Sequence, residues 1–330
     1  MRTLLVAFKK YYGHVAQDTV NEFENSIKAD MVPAQLTGRI SRILSKKMLR
    51  VMKKKPPLPK FRHTHKFCVV LGLEFYKCFL AFLFNGDNSV YIFDAWTANH
   101  TKIEAFIRLM RLKNVFFSSS QVTEIFKAKQ LDCHFQWVPE GVTLSDYRCR
   151  SYSRKDIDVL AFGRKYDRHH DQIVARLEEK GINYLYEKKK GNIVFKDRLR
   201  FIDGLARTKI SICTPSDITH PERSGTISTM TIRYLQSMAS KALIVGIMPG
   251  EMDLLFDYTP IIPLDMEDPA GQLIDILADF RRYIPLIERN YQFIKEHHTW
   301  AHRWSQIRQT IENKSEIKPI PHQPSKIHTI

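Results

Sequence analysis

A glycine and two cations, Gly163-Arg164-Lys165, follow directly on the apolar run at 158–162. The glycine allows a tight turn. The planar donor fork of Arg164 and the ammonium of Lys165 suit a phosphate, although a solvated basic turn has the same composition. A second polar stretch runs from Thr214 to Ser228 and contains Ser224-Gly225-Thr226, where backbone can approach a ligand closely. It leads into a helix expected over 229–240. The free amides near Ser228 and Thr229 and the positive end of that helix favour an anion such as a pyrophosphate, with Ser228 also fit to be a plain N-cap. Arg233 lies four residues beyond Thr229 and faces either that anion or solvent. Glu187 closes the apolar run 182–186. In the first half, groups able to hold or take a proton from a hydroxyl follow other apolar runs: His14 beside Gly13, Glu74, and Asp94 directly after 90–93. Asp94 is the best placed of these, and a turn or helix cap is its alternative role.

These positions matter because of the elements that carry them. Short apolar runs alternate with segments of helical period, the signature of parallel α/β sheets. Strands are expected at 4–8, 67–71, 90–93, 115–117 and 135–138, with helices at 18–29, 38–54, 101–111 and 120–129. The pattern breaks at Pro139-Glu140-Gly141 and restarts after Arg154. Strands then follow at 158–162, 182–186, 210–213 and 243–245. Helices follow at 167–180, 197–207, 229–240, 269–280, 283–297 and 300–313. The expected organisation is a domain at 1–150, a second at 151–313, and a flexible tail at 314–330 that holds three prolines and no period. In open parallel sheets ligands bind beyond the carboxyl ends of the strands, so two such sheets facing one another would line a cleft with the residues named above.

The stretch 224–246 resembles the donor-binding segment of the GT-B glycosyltransferases, in particular the large group-one family of nucleotide-sugar-dependent enzymes. Gln236-Ser237-Met238-Ala239 stands where that family has Glu-Ala-Met-Ala, and Leu243-Ile-Val-Gly246 is the strand after it. Phe162-Gly163-Arg164 is similar to the family's Val-Gly-Arg turn, Trp137-Val-Pro-Glu-Gly-Val142 to its Ile-Pro-Asn-Gly-Val, and Thr299-Trp300 to its Phe-Ser-Trp, where the chain crosses back to the first domain. The likeness runs in order over roughly 90–310. It implies an α/β fold of two Rossmann-like doubly wound domains facing a cleft, with a nucleotide-sugar donor on the second and a glycan or lipid-linked acceptor on the first. It implies transfer without cofactor or obligatory metal, with retention, as in surface polysaccharide synthesis. The family's ribose-binding Glu falls on Gln236 and its partner Glu on Ser228. Glu222 is a spatial substitute for the latter, and Lys165 or Arg168 for a Lys that has no match in place. The one Asp-x-Asp, Asp156-Ile-Asp158, opens a strand rather than ending one.

The formal net charge is +16, which points to an anionic partner. Most of the excess lies in one place: residues 39–66 hold 11 basic side chains and no acidic one. Ile40, Ile43, Leu44, Met48, Val51 and Met52 fall among these cations at helical spacing, and Pro56-Pro57 ends the run. A basic amphipathic helix of this kind suits an anionic membrane face, or is a core-facing helix with a solvated polar side. Nucleic acid is not the expected partner, since no binding motif or arginine–aromatic interleaving accompanies the charge. A basic nucleic-acid- or membrane-binding protein and another GT-B enzyme, such as a sugar-nucleotide epimerase, are the alternatives to transfer. No apolar run is long enough to span a membrane, the N-terminus does not read as a signal peptide, and five cysteines without CxxC spacing suggest neither a disulfide framework nor a zinc site. The expectation is a cytoplasmic protein, peripheral on the membrane.

Overall fold

The computed structural model describes residues 2–7, 18–35, 39–52, 54, 60–163, 165–188 and 194–312. His14, Arg164 and the tail 314–330 lie outside the described residues.

Two parallel sheets organise the chain. Strands β1 (Arg2–Ala7), β2 (Val32–Gln35), β3 (Lys60–Leu71), β4 (Asn85–Phe93), β5 (Asn114–Phe117) and β6 (His134–Trp137) form the first, in the order β2-β1-β3-β4-β5-β6. Strands β7 (Ile157–Ala161), β8 (Tyr184–Leu185), β9 (Thr208–Cys213), β10 (Leu243–Gly246) and β11 (Ile262–Pro263) form the second, in the order β11-β10-β9-β7-β8. Every described pairing is parallel. Parallel strands need crossovers, and these are the helices α1 (Asp18–Ile27), α2 (Arg39–Val51), α3 (Phe79–Leu83), α4 (His100–Met110) and α5 (Ser120–Lys127) in the first unit. In the second they are α6 (Asp167–Glu179), α7 (Arg198–Ala206), the short α8 (Ser216–Thr219) and α9 (Pro221–Ser224), and α10 (Ile232–Ala239), while α11 (Pro269–Ala278) and α12 (Ile284–His297) follow the last strand. The last helix is α13 (Trp300–Ile311).

Helices cover both faces of each sheet, so the central strands are apolar on both sides. Alternation sorts their side chains. In β4, Val90 and Ile92 pack with Phe79, Phe106 and Phe126 of α3, α4 and α5, while Tyr91 and Phe93 pack with Phe23 of α1 and Trp300 and Trp304 of α13. In the second sheet Leu160 and Ile244 face α10, and Val159 and Val245 face α6 and α11.

Helix α13 therefore crosses back to the first sheet. Trp300 stacks on Phe23 with ring centroids 4.4 Å apart, Trp304 Nε1 donates to Asp30 Oδ2 over 2.8 Å, and Thr310 Oγ1 donates to Gln136 Oε1 over 2.6 Å. The crossing is pinned where Val142 N donates to His298 O and Trp300 N to Val142 O. A Cβ on Gly141 would stand 2.9 Å from Trp300 N, so only glycine fits there. The two short motifs around 140 and 299 thus meet in space.

Several elements differ from the sequence expectation: the two-residue strand β11 and the short helices α3, α8 and α9 were not expected, each too short to show a period. Strand β2 was not expected; it is a four-residue edge strand containing Pro33, and neither its length nor its proline gives a strand pattern. The helix expected from Thr229 begins at Ile232, after Thr231 in extended conformation.

Candidate functional site at the mouths of the two sheets

The carboxyl ends of both sheets open on one cavity of about 360 Å³. Leu71, Phe93, Asp94 and Glu140 come from the first unit, and Phe162, Gly163, Glu187, Thr231, Arg233 and Gln236 from the second. Asp94, Gly163, Glu187, Arg233 and Gln236 were singled out from the sequence, and the fold brings these five together.

Each is held by its strand or helix in a particular way. Asp94 follows β4 directly and takes φ +50°, a left-handed conformation that costs an L-residue roughly 1–2 kcal/mol and that Asp tolerates better than most. Beside it Gly72, just past β3, takes φ +55° and donates its amide to Phe93 O over 2.8 Å. Gly163, after β7, takes φ +75°, and a Cβ there would stand 3.1 Å from Arg233 Cδ. The arginine side chain runs under this turn. It is 9% exposed, with Nη2 donating to Thr214 O over 3.1 Å and Nη1 to Phe162 O over 3.4 Å. It is not on a solvated helix face. Its charge is buried at the ends of β7 and β9, in a cavity whose described walls carry three carboxylates: Asp94, Glu140 and Glu187.

Gln236 belongs to a chain of hydrogen bonds between the two units. Its Nε2 donates to Tyr147 Oη over 3.0 Å, and the Tyr147 hydroxyl donates to Glu22 Oε2 over 2.8 Å. Arg198 Nη2 donates to the same Glu22 oxygen and to Asp146 Oδ2. Thr143 N donates to Glu22 Oε1. Burial pushes the Glu22 carboxyl above its ordinary range despite those donors, and burial with the neighbouring Glu22 raises the Tyr147 phenol. A phenol has one proton, and Glu22 receives it, so the partner at 236 must be a donor. An ionised Glu there would set two carboxylates against one hydroxyl. The Glu-to-Gln departure thus has a local reason.

The amide groups of the loop before α10 do not form an open helix N-terminus at Ser228 and Thr229. Ser228 N donates to Gln121 Oε1, Met230 N to Glu251 Oε2, and Ile232 N to Glu140 Oε2. Glu251 Oε1 also accepts from Ser120 N at the start of α5, over 2.7 Å, and burial lifts its carboxyl to about 7. Two hydroxyls of the loop, Thr229 Oγ1 and Thr231 Oγ1, are buried without a hydrogen-bond partner, and Thr231 lines the cavity.

The remaining expected residues lie elsewhere or act through backbone. Lys165 pairs with Asp167 over 3.3 Å and does not line the cavity. Ser224 turns its hydroxyl to His220 O, and its carbonyl accepts from Thr97 Oγ1. Gly225 takes φ +60°, with Thr97 Oγ1 3.2 Å from where a Cβ would be. Thr226 is exposed and accepts Gln121 Nε2 at its carbonyl. Glu222 is exposed on α9. Glu74 is not in the cleft: it bridges Lys77 over 2.7 Å and lines a separate groove. Asp156 and Asp158 are taken by Arg207 and Lys209 at the start of β7, away from the cavity.

Sequence reasoning missed Glu22, Glu140, Glu251, Tyr147 and Thr231. Glu140 stood in a recognised turn motif, which was the one signal available; Glu22, Tyr147 and Glu251 are placed by contacts between units, and Thr231 by the turn before α10.

No family model matches the sequence, and no curated protein matches it. Solved structures do match. HepE of Anabaena, in complex with UDP and glucose, superposes with a TM-score of 0.60 at 9% identity, covering 95% of this chain and 100% of that one. The chain has the GT-B fold. A sucrose-phosphate synthase of Thermosynechococcus elongatus matches with a TM-score of 0.59 at 10% identity, over 95% of this chain and 99% of that one. A glycosyltransferase of Rickettsia africae gives 0.57 at 11%, over the same shares. In this GT-B chain the strand ends of both units meet at the cavity just described, where open parallel sheets take their ligands. Among the described residues no helix is long and apolar enough to cross a membrane.

Proposed function

We propose that the protein is a glycosyltransferase that moves a sugar from a nucleoside-diphosphate donor to a glycan or lipid-linked acceptor, as in surface polysaccharide synthesis. The observation that carries the reading is the cavity at the meeting of the two sheets, with Arg233 buried under the Gly163 turn and Thr231 carrying a hydroxyl without a partner. The GT-B structures solved with UDP and with UDP-glucose support a nucleotide-sugar donor.

As the glycosidic bond breaks, charge develops on the leaving diphosphate, and a fixed cation stabilises it most where water is excluded. Arg233 supplies such a charge from beneath, and Arg164, next to Gly163 in sequence, is the further cation of this reading, whereas Lys165 is held by Asp167 outside the cavity. Gln236 takes a ribose hydroxyl. Glu187 sits at the cavity wall of the second unit and Asp94 at that of the first, where an acceptor hydroxyl would lie. With retention the leaving phosphate takes the acceptor's proton and Asp94 orients the hydroxyl. Neither cofactor nor obligatory metal has a part in this scheme.

The same proposal places the protein on the cytoplasmic face of a membrane through α2. Ile43 and Val51 are 58% and 72% exposed there, between the exposed cations Lys46, Lys47 and Arg50. An apolar edge flanked by lysine and arginine suits an anionic bilayer and adds nothing to nucleic-acid binding.

The test is a panel of nucleotide sugars with acceptor extracts, read by product mass and by release of free nucleoside diphosphate. Acceptor-dependent incorporation with a thermal shift by one donor supports transfer. Absence of a shift by every donor rejects it, and nucleotide release with an isomerised sugar and no incorporation indicates an epimerase.

A further inference from the structure

Outside the cleft, the largest cavity among those described is a groove of about 1240 Å³ between α2 and α4. Cations reach it from two facing helices: Lys46, Arg50 and Lys54 from α2 and the residues after it, and Lys102, Arg108 and Arg111 from α4 and its cap. The one acid among its described lining residues is Glu74, already paired with Lys77. Arg108 is partly neutralised by Glu104, but Lys102 and Arg111 have no acidic partner among the described ion pairs. The groove is not simply polar. Met52, Leu73 and Leu109 line it beside the cations, and Phe75 stacks on Phe106 at 4.0 Å to make a stiff wall. Concave shape, convergent cations and an apolar lining together fit a ligand with an anionic head and an aliphatic body. A polynucleotide would use the cations and leave the apolar lining unmatched.

We propose that this groove seats one anionic glycerophospholipid of the bilayer, its phosphate between the cations of α2 and α4 and its acyl chains along Met52, Leu73 and Leu109. The inference rests on the membrane-facing reading of α2 and is independent of the donor site. It has a consequence for the cleft: Leu71 lines the cleft cavity while Leu73 lines the groove, a separation of at most about 7 Å of chain. A lipid held here fixes the cleft mouth close to the bilayer surface, where a lipid-linked acceptor would be presented.

The test uses a short-chain phosphatidylglycerol below its micelle concentration, so that no bilayer is present, with binding followed by titration calorimetry on the full chain. The expected result is saturable binding of one lipid per chain, weakened at least about tenfold by K102E/R111E and unaffected by I43S/V51S, which instead lowers retention on phosphatidylglycerol vesicles. Melting temperature and donor binding of both variants serve as folding controls. The proposal is overturned if the monomeric lipid does not bind, if K102E/R111E leaves its affinity unchanged, or if inorganic phosphate competes at equal concentration. Vesicle retention without monomer binding would leave only a flat docking surface, and failure of the unaltered chain to bind any nucleotide sugar would count against the donor site and not against the groove.

Discussion

At the scale of single residues, the site is a set of polar groups each tied to a neighbour that dictates its type. Gln236 is the clearest case, since the Tyr147 hydroxyl spends its proton on Glu22 and can only accept from position 236. Gln236→Glu is expected to destabilise the protein by about 1–3 kcal/mol, the cost of leaving a buried group without its partner, with the midpoint of denaturant unfolding as the measurement. Gly163 is constrained differently. Its φ of +75° is strained for an L-residue and a methyl group would press on the arginine beneath it at 3.1 Å, so Gly163→Ala should shift Arg233 and raise the donor dissociation constant in a titration, while far-ultraviolet circular dichroism stays unchanged. Asp94→Asn keeps a residue type that tolerates the left-handed backbone. Under the proposed chemistry it lowers kcat roughly 10²-fold with an unchanged melting temperature; equal loss of both would assign Asp94 to the turn alone.

At the scale of elements, the chain was legible where a strand runs between two helices. Runs such as Val115-Phe116-Phe117 are buried on both faces and announce themselves by composition, and the glycines and acids that follow such runs could be read as facing a ligand. What could not be read were the ends set by partners distant in sequence. Helix α10 begins at Ile232 and not at Thr229, with Glu251 and Glu140 taking the amides of Met230 and Ile232, and no local propensity encodes carboxylates that are 21 and 92 residues away in the chain. Strand β2 was lost to its length and its proline, and Glu74 fell outside the cleft because the turn after β3 carries it toward Lys77. By contrast the start of α13 is encoded locally. The Thr299 side chain accepts from His302 N, and His302 returns the bond in a capping box. Thr299→Ala should cost about 1 kcal/mol, seen as a melting temperature lower by roughly 2–4 °C.

At the scale of the whole molecule, buried carboxylates tie the two units together: Glu22 to the connection at Thr143 and to Arg198, Glu140 to α10, and Glu251 to α5 and the loop before α10. Burial holds the Glu251 carboxyl at about 7, against 4.5 for an unperturbed group. The folded protein therefore binds more protons than the unfolded chain between those values, and stability from this residue is fully present below about pH 4.5 and lost as pH rises through about 7. Unfolding free energy should fall by up to about 1.4 kcal/mol per pH unit across that window on account of this group. Glu251→Gln should flatten that slope in denaturant titrations at a series of pH values. The return of α13 to the first sheet has a different consequence, in time rather than energy. Phe23, Phe67 and Tyr91 emerge early from the ribosome, yet the tryptophans that cover them are residues 300 and 304. Until residues 300–311 are made, the back of the first unit lacks its tryptophan cover, so its maturation waits on α13. Nascent chains arrested before Trp300 clears the ribosome should remain sensitive to protease in the first unit, and those arrested after Ile311 clears it should not.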